Sequence, residues 1–502
     1  MILCGYLAGA QQASDASLQY AQSITAQDFE AHLRFLADDL LEGRETGERG
    51  QALAALYIRS HFMRLGLTPG VQAENSFFQP YSLVKNRINE ASISLGKKTF
   101  QYGADFFSFG AALPEKLESD WVFVGYGMSE ADYDNLAGLD LAGKNVLLLA
   151  GAPEEMPMEQ MVRSWQKRVD KLNEKGASNI FFILPDTYFA TLSRFVSRES
   201  ISADKGEKQS PTVFVSETLG NEMLKKAKTN VEKLTARLKD NPQPPALNFK
   251  KLNMSYQADV QTDHIVPTNV LGYLEGTDKK DELLVITAHY DHIGINRRGE
   301  INNGADDDGS GTTGVLELAE AFALAAQNGH RPRRSILFMT VSGEEKGLLG
   351  SEYYTDHPVY PLENTIVNLN MDMIGRIDRK YEKRADSTNY IYLIGSDKLS
   401  SELHQISERM NQTYTQLTLD YTYNDENDPN RFYYRSDHYN FAKNGIPVIF
   451  YFNGTHEDYH RPTDEVDKIR FEKAAKVTRL VFHTAWELAN REERIKVDKA
   501  AR

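Results

Sequence analysis

The stretch that decides the fold is LLVITAHYDHIGINRRGEINNGADDDGSG, residues 283–311. Its first five residues are apolar or β-branched, which favours a buried strand. The strand pattern ends at His289 and Asp291, and residues two apart on an extended chain point to the same side. A glycine-rich loop then leads to three aspartates, and apolar residues recur at helical spacing over 315–322. The carboxylates therefore lie on a strand-to-helix loop, where open α/β sheets bind ligands.

The acidic triplet Asp306, Asp307 and Asp308 has two interpretations. Most Asp-rich turns are solvated surface loops, and the three like charges repel one another. Here the triplet is flanked by glycines and preceded by a strand ending in His-x-Asp, so oxygen and imidazole ligands are concentrated in one place. A divalent cation offsets the repulsion and prefers such ligands, so the pattern favours a metal site.

Composition limits the classes of protein that fit. A chain of 502 residues predicts two or three domains, and its 41% hydrophobic and 25% charged residues are typical of a soluble globular enzyme. We find no apolar run long enough to span a membrane. The formal charge of -14 argues against nucleic acid as the main partner. Cys4 is the only cysteine, so no intramolecular disulfide and no thiolate metal ligand is expected.

Residues 1–22 are predicted to be a shortened signal peptide and an N-terminal extension. Ala8, Gly9 and Ala10 have the small-x-small form of a signal-peptidase site, although no basic segment precedes them. The alternative is a frayed or buried N-terminus. The first interpretation predicts a periplasmic or secreted protein.

The segment after Thr25 is predicted to form a helical hairpin. Thr25 and Asp28 resemble a capping box at the start of the first helix, and the glycines of LEGRETGERG, residues 41–50, separate it from the second. Arg44 and Glu45 lie in this glycine-rich turn. They could touch a site, but solvated turn charges are the more common case and the interpretation we adopt.

The predicted domain boundaries follow a change in the pattern of predicted strands and helices along the chain. Residues 23–95 and 259–502 are predicted to form one α/β domain, with a mostly parallel central sheet flanked by helices. Residues 96–258 are predicted to form an inserted, strand-rich domain, with helices over 157–175 and 217–238. This insert has almost none of the histidine and paired-acid chemistry found later. We therefore expect it to shape substrate access rather than to catalyse.

Potential metal ligands follow the strands of the α/β region. Strands are predicted at the following ranges: 283–288, 335–341, 366–371, 390–394 and 447–452. The second runs into Glu344 and Glu345, the third into Asp372, and the last precedes His456 and His460. Because the carboxyl ends of parallel strands meet at one edge of a sheet, these side chains are expected to converge.

Six segments together resemble peptidase family 28, the dizinc aminopeptidases. They occur in the order found in that family: AHYDHIG, GADDDGSGT, SGEEKGLLGS, NLNMDMIGR, RSDHYNFAKNGIP and YHRPTDEVD. The middle of the chain, with LAGKNVLLLAG and NEKGASNIFFI, resembles the protease-associated domain often inserted in that family. The likeness extends over residues 25–490. Six motifs in order are far more specific than any one of them.

The resemblance implies two Zn²⁺ ions per chain. It assigns His289 and Asp372 to one ion, Glu345 and His460 to the other, and Asp307 as the bridge between them. Two histidines and three carboxylates, one of them shared, suit two zinc ions that lower the pKa of a shared water towards ~7. That water would supply hydroxide at neutral pH.

Three further residues take roles by the same resemblance. Glu344 is implied to be the general base, and Asp291 is implied to hydrogen-bond His289 and fix its tautomer. Tyr433 matches a tyrosine placed near the scissile carbonyl. The Ser436-Asp437-His438 run is not a serine triad, because three consecutive residues cannot form the relay; we expect it to cap a helix and support the site wall.

Considered alone, His289 or His460 would more often be an ordinary, partly buried histidine. We interpret the remaining histidines that lack a matching motif as structural: His292, His330, His404 and His483. The expected function is a metallo-aminopeptidase that acts on peptides with a free N-terminus. Three alternatives remain open: a one-zinc glutaminyl cyclase-like acyltransferase, a carboxypeptidase of the same family, and a non-catalytic receptor-like protein. The sequence predicts neither the N-terminal side chain that the enzyme prefers in its substrates nor the oligomeric state.

Overall fold

The structure is a computed structural model, and two compact units make up the chain. The larger unit comprises residues 1–83 and 265–502, and the inserted unit comprises residues 84–264. The structure describes the following residues: 16–109, 113–130, 133–154, 156–194, 196, 198–203, 210–241, 243–249 and 252–499. The predicted signal-peptidase site and Cys4 lie outside them.

Nine strands form the sheet of the larger unit. They are β1 (Thr68–Pro69), β2 (Phe78–Pro80), β3 (Thr268–Leu274), β4 (Lys279–His289), β5 (Arg334–Val341), β6 (Thr365–Met371), β7 (Tyr390–Ile394), β8 (Thr418–Asp420) and β9 (Val448–Phe452). Their order is β1-β3-β5-β4-β6-β9-β7-β8, and β2 also pairs with β3. The four central strands β5, β4, β6 and β9 are parallel, whereas β3 and β7 join them antiparallel. The predicted α/β class with a mostly parallel central sheet is confirmed, as are all five predicted strands.

Helices cover both faces of this sheet, which explains why its central strands are continuous apolar runs. Every residue of β5, β6 and β9 is buried. Along β4, Leu284, Ile286 and Ala288 pack into one core cluster, and Leu283 and Val285 pack into another on the opposite face. The helices are α1 (Ala26–Leu36), α2 (Arg49–Arg64), α3 (Gly311–Gln327), α4 (Leu349–Asp356), α5 (Ser401–Met410), α6 (His438–Ala442) and α7 (Phe471–Asn490).

Short helical turns complete the larger unit, and the first helix starts as predicted. The Thr25 hydroxyl accepts a hydrogen bond from the Asp28 amide at 3.1 Å and donates one to the Asp28 carboxylate at 2.7 Å. Thr25 is therefore the N-cap, as predicted, although the Asp28 carboxylate accepts from the Thr25 hydroxyl rather than from its amide. The short turns are Asp39–Arg44, Gln72–Glu74, Ala305–Ser310, Leu362–Asn364, Asn411–Thr415, Thr422–Asn424, Phe432–Tyr434 and Val466–Lys468.

The inserted unit has two main sheets and a core of its own. One sheet has five strands, in the order Phe106–Phe109, Thr212–Ser216, Asn179–Leu184, Asn145–Leu149 and Trp121–Phe123. The other has four strands: Glu199–Ala203, Leu83–Leu95, Met254–Ile265 and Lys98–Gln101. A small ribbon pairs Ser129–Glu130 with Tyr133–Asp134.

The helices of the inserted unit differ from the prediction at two places: the sequence does not predict Asp186–Leu192, and the second predicted helix is broken. They are Met158–Glu174, Asp186–Leu192, Glu217–Leu224, a short turn Lys225–Ala227, and Val231–Asp240. The helix predicted over 217–238 is broken at Lys228, whose φ of 53° is left-handed. Asn230 then restarts the chain as an N-cap, because its side chain accepts a hydrogen bond from the Lys233 amide at 2.9 Å.

Over the described part of the chain, none of the helices combines the length and the apolar character needed to cross a membrane.

Candidate metal centre

The ends of three neighbouring strands bring the acidic and histidine side chains together. Strand β4 ends at His289, β5 ends three residues before Glu344, and β6 ends one residue before Asp372. Strands β5, β4 and β6 are adjacent and parallel, so their carboxyl ends lie side by side. The Asp307 loop follows β4 and reaches the same edge. The predicted convergence of side chains at the strand ends is therefore a property of the sheet order.

The first cluster of ligands surrounds the buried ring of His289. Its Nε2 atom lies 3.3 Å from Asp307 Oδ1, 3.6 Å from Asp372 Oδ1 and 3.8 Å from Glu344 Oε2. Burial by itself lowers the pKa of His289, but the Glu344 and Asp372 carboxylates outweigh it and raise that pKa well above its usual value. The negative potential that does this also favours a bound cation.

The second cluster of ligands lies on the other side of Asp307. His460 Nε2 is 3.1 Å from Asp307 Oδ2 and 3.2 Å from Glu345 Oε2. His292 Nδ1 is 2.8 Å from Glu345 Oε1 and 3.8 Å from Asp307 Oδ2. Asp307 thus turns one carboxylate oxygen towards each cluster. This is the geometry that a bridging ligand requires.

The other two aspartates of the triplet hold the strand ends in place. The Asp308 carboxylate accepts hydrogen bonds from three backbone amides: those of His289 at 3.2 Å, Gly311 at 2.7 Å and Met373 at 3.1 Å. It therefore ties the end of β4, the start of α3 and the residue after Asp372 to one another. Its oxygens are occupied by this scaffold, which leaves Asp307 as the member of the triplet that faces both clusters.

Asp306 also joins segments that are distant in sequence. Its carboxylate accepts hydrogen bonds from the Gly375 amide at 2.7 Å and from Asn453 Nδ2 at 3.1 Å, and it lies 3.3 Å from His456 Nε2. The Asp464 carboxylate accepts hydrogen bonds from the backbone amides of Asp306 and Asp307 at 3.0 and 3.2 Å. These two hydrogen bonds fix the turn that carries Asp307.

Unpartnered atoms in the two clusters fit a metal ion. Asp307 Oδ2 and Glu345 Oε1 are buried and accept no hydrogen bond in the described part of the chain. His292 Nδ1, although 2.8 Å from Glu345 Oε1, is not aligned with it as a hydrogen bond. Buried polar atoms are seldom left without a partner, and imidazole and carboxylate atoms are the ligands that zinc takes in proteins. Two sets, His289-Glu344-Asp372 and His292-Asp307-Glu345, each bring three ligand atoms within 4.8 Å of one another.

The residues proposed from the sequence fall into two groups. Six of them converge in the clusters described above: His289, Asp307, Glu344, Glu345, Asp372 and His460. Asp291 lies beside them, but the atom that approaches His289 Nδ1 is the backbone oxygen of Asp291, at 3.1 Å. The Asp291 carboxylate is 3.8 Å away and instead accepts from Thr46 Oγ1 at 2.7 Å and from the Glu344 amide at 3.3 Å.

Tyr433 is placed differently from the convergent six. Its ring packs edge-on against His438 and Tyr439, with centroids 5.6 and 6.0 Å apart. The pocket beside the clusters is lined instead by its neighbour Phe432 and by Tyr459. Tyr459 stacks on the ring of His460, with centroids 3.9 Å apart.

The Ser436-Asp437-His438 run supports the wall of the site. Asp437 accepts a hydrogen bond from the Ser351 hydroxyl at 2.5 Å, and Ser436 Oγ accepts one from Asn370 Nδ2 at 2.9 Å. Burial raises the pKa of Asp437 to about 7. Asp437 precedes α6 without capping it through its side chain, so the expected capping role is wrong.

Two residues near the site differ from the sequence prediction. The sequence predicts a structural His292, yet His292 lies against Glu345, and its position one residue after Asp291 is the available signal. The sequence predicts a solvated Arg44, yet the Arg44 side chain is buried and donates to the carbonyls of Tyr290 at 2.8 Å, Asn303 at 2.7 Å and Gly304 at 3.0 Å, and to that of Leu36. Arg44 thus joins the segments on both sides of the metal-binding loop.

We expect Arg44→Met to destabilise the larger unit by about 3–5 kcal/mol, because it leaves several buried carbonyls without a donor and removes a buried charge that faces aspartates. Denaturant unfolding followed by tryptophan fluorescence checks this. Arg49→Met is the matched control: Arg49 is 72% exposed and its ion pair with Glu42 is 3.6 Å long, so a change within about 0.5 kcal/mol is expected. Equal stability of the two variants would show that the Arg44 contacts contribute little.

Comparisons with known proteins show which family and which proteins the chain is similar to. The model of the family described as Peptidase family M28 matches residues 269–485. Aminopeptidase YwaD of Bacillus subtilis (strain 168) is 27% identical over 239 residues, which cover 46% of this chain and 47% of the relative. A "Probable zinc metalloprotease" of Pyrenophora tritici-repentis (strain Pt-1C-BFP) is 28% identical over 267 residues, covering 44% of this chain and 51% of the relative. The alignments thus span about half the length of each relative.

A solved structure shares the fold over nearly the whole chain. It is the aminopeptidase from Aneurinibacillus sp. strain AM-1, which superposes with a TM-score of 0.58 at 18% identity. The superposition covers 96% of this chain and 98% of that one. At this level of identity the likeness concerns the fold.

Proposed function

We propose that this chain, whose residues 269–485 match the model of Peptidase family M28, is a zinc-dependent exopeptidase that removes N-terminal residues from peptides. The observation that carries the proposal is the pair of ligand clusters that share Asp307. A single carboxylate with one oxygen turned to each cluster is the arrangement that a two-metal site needs.

The residues that would hold the metals are those of the two clusters. His289 and Asp372 would bind one zinc ion, and Glu345 and His460 would bind the other, with His292 beside the second. Asp307 would bridge the two. When bound, two zinc ions lower the pKa of a shared water towards ~7 and polarise the scissile carbonyl. The His289 Nδ1–H is directed to the Asp291 carbonyl, which leaves Nε2 free to coordinate.

Glu344 is proposed as the general base. Its side chain is 11% exposed, and its carboxylate lies at the edge of the first cluster, 3.8 Å from His289 Nε2. Burial raises the pKa of Glu344 well above its usual value, and the neighbouring carboxylates of Glu345 and Asp372 add to this. A carboxylate whose pKa is raised is a stronger base than an ordinary glutamate. Glu344 would accept a proton from the attacking water and donate it to the leaving amine.

The two adjacent glutamates have different surroundings, which supports giving them different roles. Glu345 touches both His292 and His460, whereas Glu344 faces His289 and lines the open pocket. The Glu344 amide donates a hydrogen bond to the Asp291 carboxylate at 3.3 Å. This bond ties the loop after β5 to the segment after β4. Glu345 is therefore proposed as a ligand and Glu344 as the residue that meets the substrate.

The inserted unit is proposed to contribute no catalytic residue. Both ligand sets found among the described residues come from the larger unit. Periplasmic or secreted localisation, from the predicted signal peptide, is proposed on the sequence alone.

Hydrolysis of matched amides tests this function. Leucine amide should be hydrolysed with release of leucine, and N-acetyl-leucine amide should not, because an aminopeptidase needs the free α-amine. Liquid chromatography of the products distinguishes the alternatives. Release of the C-terminal residue from both free and N-acetylated peptides would favour a carboxypeptidase. Cyclisation of an N-terminal glutamine without peptide hydrolysis would favour the cyclase.

A further inference from the structure

The pocket beside the metal ligands contains one cation that the proposed mechanism does not use. Its lining combines the carboxylates of Asp307, Glu344 and Asp372 with aromatic and apolar side chains. Arg435 is the one arginine or lysine of this lining. A guanidinium has five N–H donors in a planar fork and stays charged at any physiological pH. Its presence in a substrate pocket therefore has consequences for which substrates bind.

The Arg435 side chain is exposed, and two contacts position it where it lines the pocket. The guanidinium carbon lies 4.8 Å from the centroid of the Phe432 ring, a cation–π contact. Its Nη2 atom donates to the Tyr459 hydroxyl at 3.3 Å. Because the Tyr459 ring stacks on that of His460, Arg435 is separated from the second ligand cluster by a single side chain. The guanidinium is thereby positioned close to the reacting centre.

The charge of Arg435 has no carboxylate partner among the residues that the structure describes. No Asp or Glu oxygen of that part of the chain lies within 4.0 Å of it. Arg376, by contrast, has two carboxylate partners: it pairs with Asp458 at 2.7 Å and with Asp464 at 3.5 Å. Apart from its hydrogen bond to Tyr459, the exposed Arg435 guanidinium has no acceptor among the described residues, so its remaining donors are available to a ligand in the pocket that it lines.

We propose that Arg435 is a specificity residue that binds a carboxylate of the substrate, within one residue of the scissile bond. This inference rests on the proposed peptidase function. Only the Tyr459 side chain separates the guanidinium from His460, so we assign the carboxylate that Arg435 binds to a residue next to the cleaved bond. Arginine binds carboxylates through two parallel hydrogen bonds, which gives selectivity as well as affinity.

Two groups in a peptide offer this chemistry. One is the acidic side chain of an N-terminal aspartate or glutamate. The other is the C-terminal carboxylate of the leaving residue, which comes this close to the bond only in a dipeptide. Both are carboxylates on the same guanidinium, and matched neutral substrates separate them.

The test compares two pairs of substrates that differ only in charge. Glutamic acid α-amide against glutamine α-amide reports on the side chain, and leucyl-glycine against leucyl-glycine amide reports on the C-terminus. We expect kcat/KM of the charged member to exceed that of its neutral partner by roughly 10- to 100-fold in one pair, the span for a charge-assisted hydrogen bond. Arg435→Met should bring that ratio to about one or below, and Arg435→Lys should restore part of it, mainly through KM.

Arg431→Met is the matched control. Arg431 lies in the same loop and stacks on the Tyr434 ring at 4.5 Å, but it is absent from the pocket lining, so its replacement should leave the ratio unchanged. The proposal is overturned if neither pair shows a preference for the charged member. It is also overturned if Arg435→Met lowers kcat/KM of all four substrates by the same factor, because Arg435 would then serve the reaction in general.

Equilibrium binding separates this inference from the peptidase function. In a Glu344→Gln background, calorimetry gives the Kd of the same four compounds without depending on turnover. The charged member should bind more tightly, and adding Arg435→Met should remove the difference. If the wild-type chain hydrolyses none of the four, the proposed function fails, and these Kd values still decide on Arg435: equal Kd values for charged and neutral members would refute it.

Discussion

Glu344→Gln is expected to lower kcat by roughly 10² to 10⁴-fold, the span for loss of a general acid or base, while the chain keeps its fold and its zinc. Glutamine has nearly the same shape as glutamate but cannot accept and return a proton. The Glu344 amide, which holds the turn to Asp291, is unaffected by the substitution. The loss should therefore appear in catalysis rather than in assembly of the site.

Glu345→Gln is the matched comparison, because the two glutamates are adjacent and share the loop after β5. Glu345 contacts His292 and His460, so its replacement should weaken one zinc site, and excess zinc should restore part of the activity. Zinc content and kcat measured on the same preparations distinguish the two roles. If Glu344→Gln loses metal and Glu345→Gln does not, the two assignments are reversed. If neither variant alters catalysis, the proposed mechanism is wrong.

The second large effect is expected from the bridging aspartate. Asp307→Asn should remove more metal than Asp372→Asn, leaving clearly less than about one zinc ion per chain, because Asp307 turns an oxygen to each cluster and Asp372 contacts only the first. Plasma emission spectrometry after gel filtration in metal-free buffer gives the stoichiometry.

Circular dichroism of both aspartate variants shows whether metal is lost from a folded chain. The two substitutions are chemically identical, so a difference between them reports on position alone. An equal loss of zinc from Asp307→Asn and Asp372→Asn would argue against the bridging role.

Much of the fold could be predicted because its signals are local. A strand buried on both faces must be apolar along its whole length, and β5, β6 and β9 appear in the sequence as such runs. The N-cap at Thr25 is likewise a contact between residues three apart. Ligands that follow strand ends inherit their proximity from the sheet, so the main cluster could be expected once the strands were placed.

The features that the sequence did not reveal depend on contacts between distant segments. Arg44 lies in a glycine-rich turn, which indicates exposure, and its burial results from carbonyls about 250 residues further along the chain. His292 directly follows Asp291, and the approach of the loop after β5 gives it Glu345 as a neighbour. Local pattern gives no signal for the Arg44 contacts and, for His292, only its place next to Asp291.

The roles of neighbouring atoms were also beyond the sequence. The motif at His289 and Asp291 predicted a hydrogen bond between side chains, whereas the structure has the Asp291 backbone oxygen at that position. The choice between Tyr433 and its neighbours depends on the register of an irregular loop. Side-chain direction there is set by packing of Phe432 and Tyr459 around the pocket, which no periodicity encodes.

The proposed function depends on two metal ions that share Asp307. A zinc titration tests this two-metal site most directly. The chain is first stripped with a chelator, which should abolish hydrolysis of leucine amide, and zinc is then added in steps while bound metal and activity are measured together. We predict that activity rises until about two zinc ions are bound per chain. Full activity at a stoichiometry of one would contradict the two-metal site.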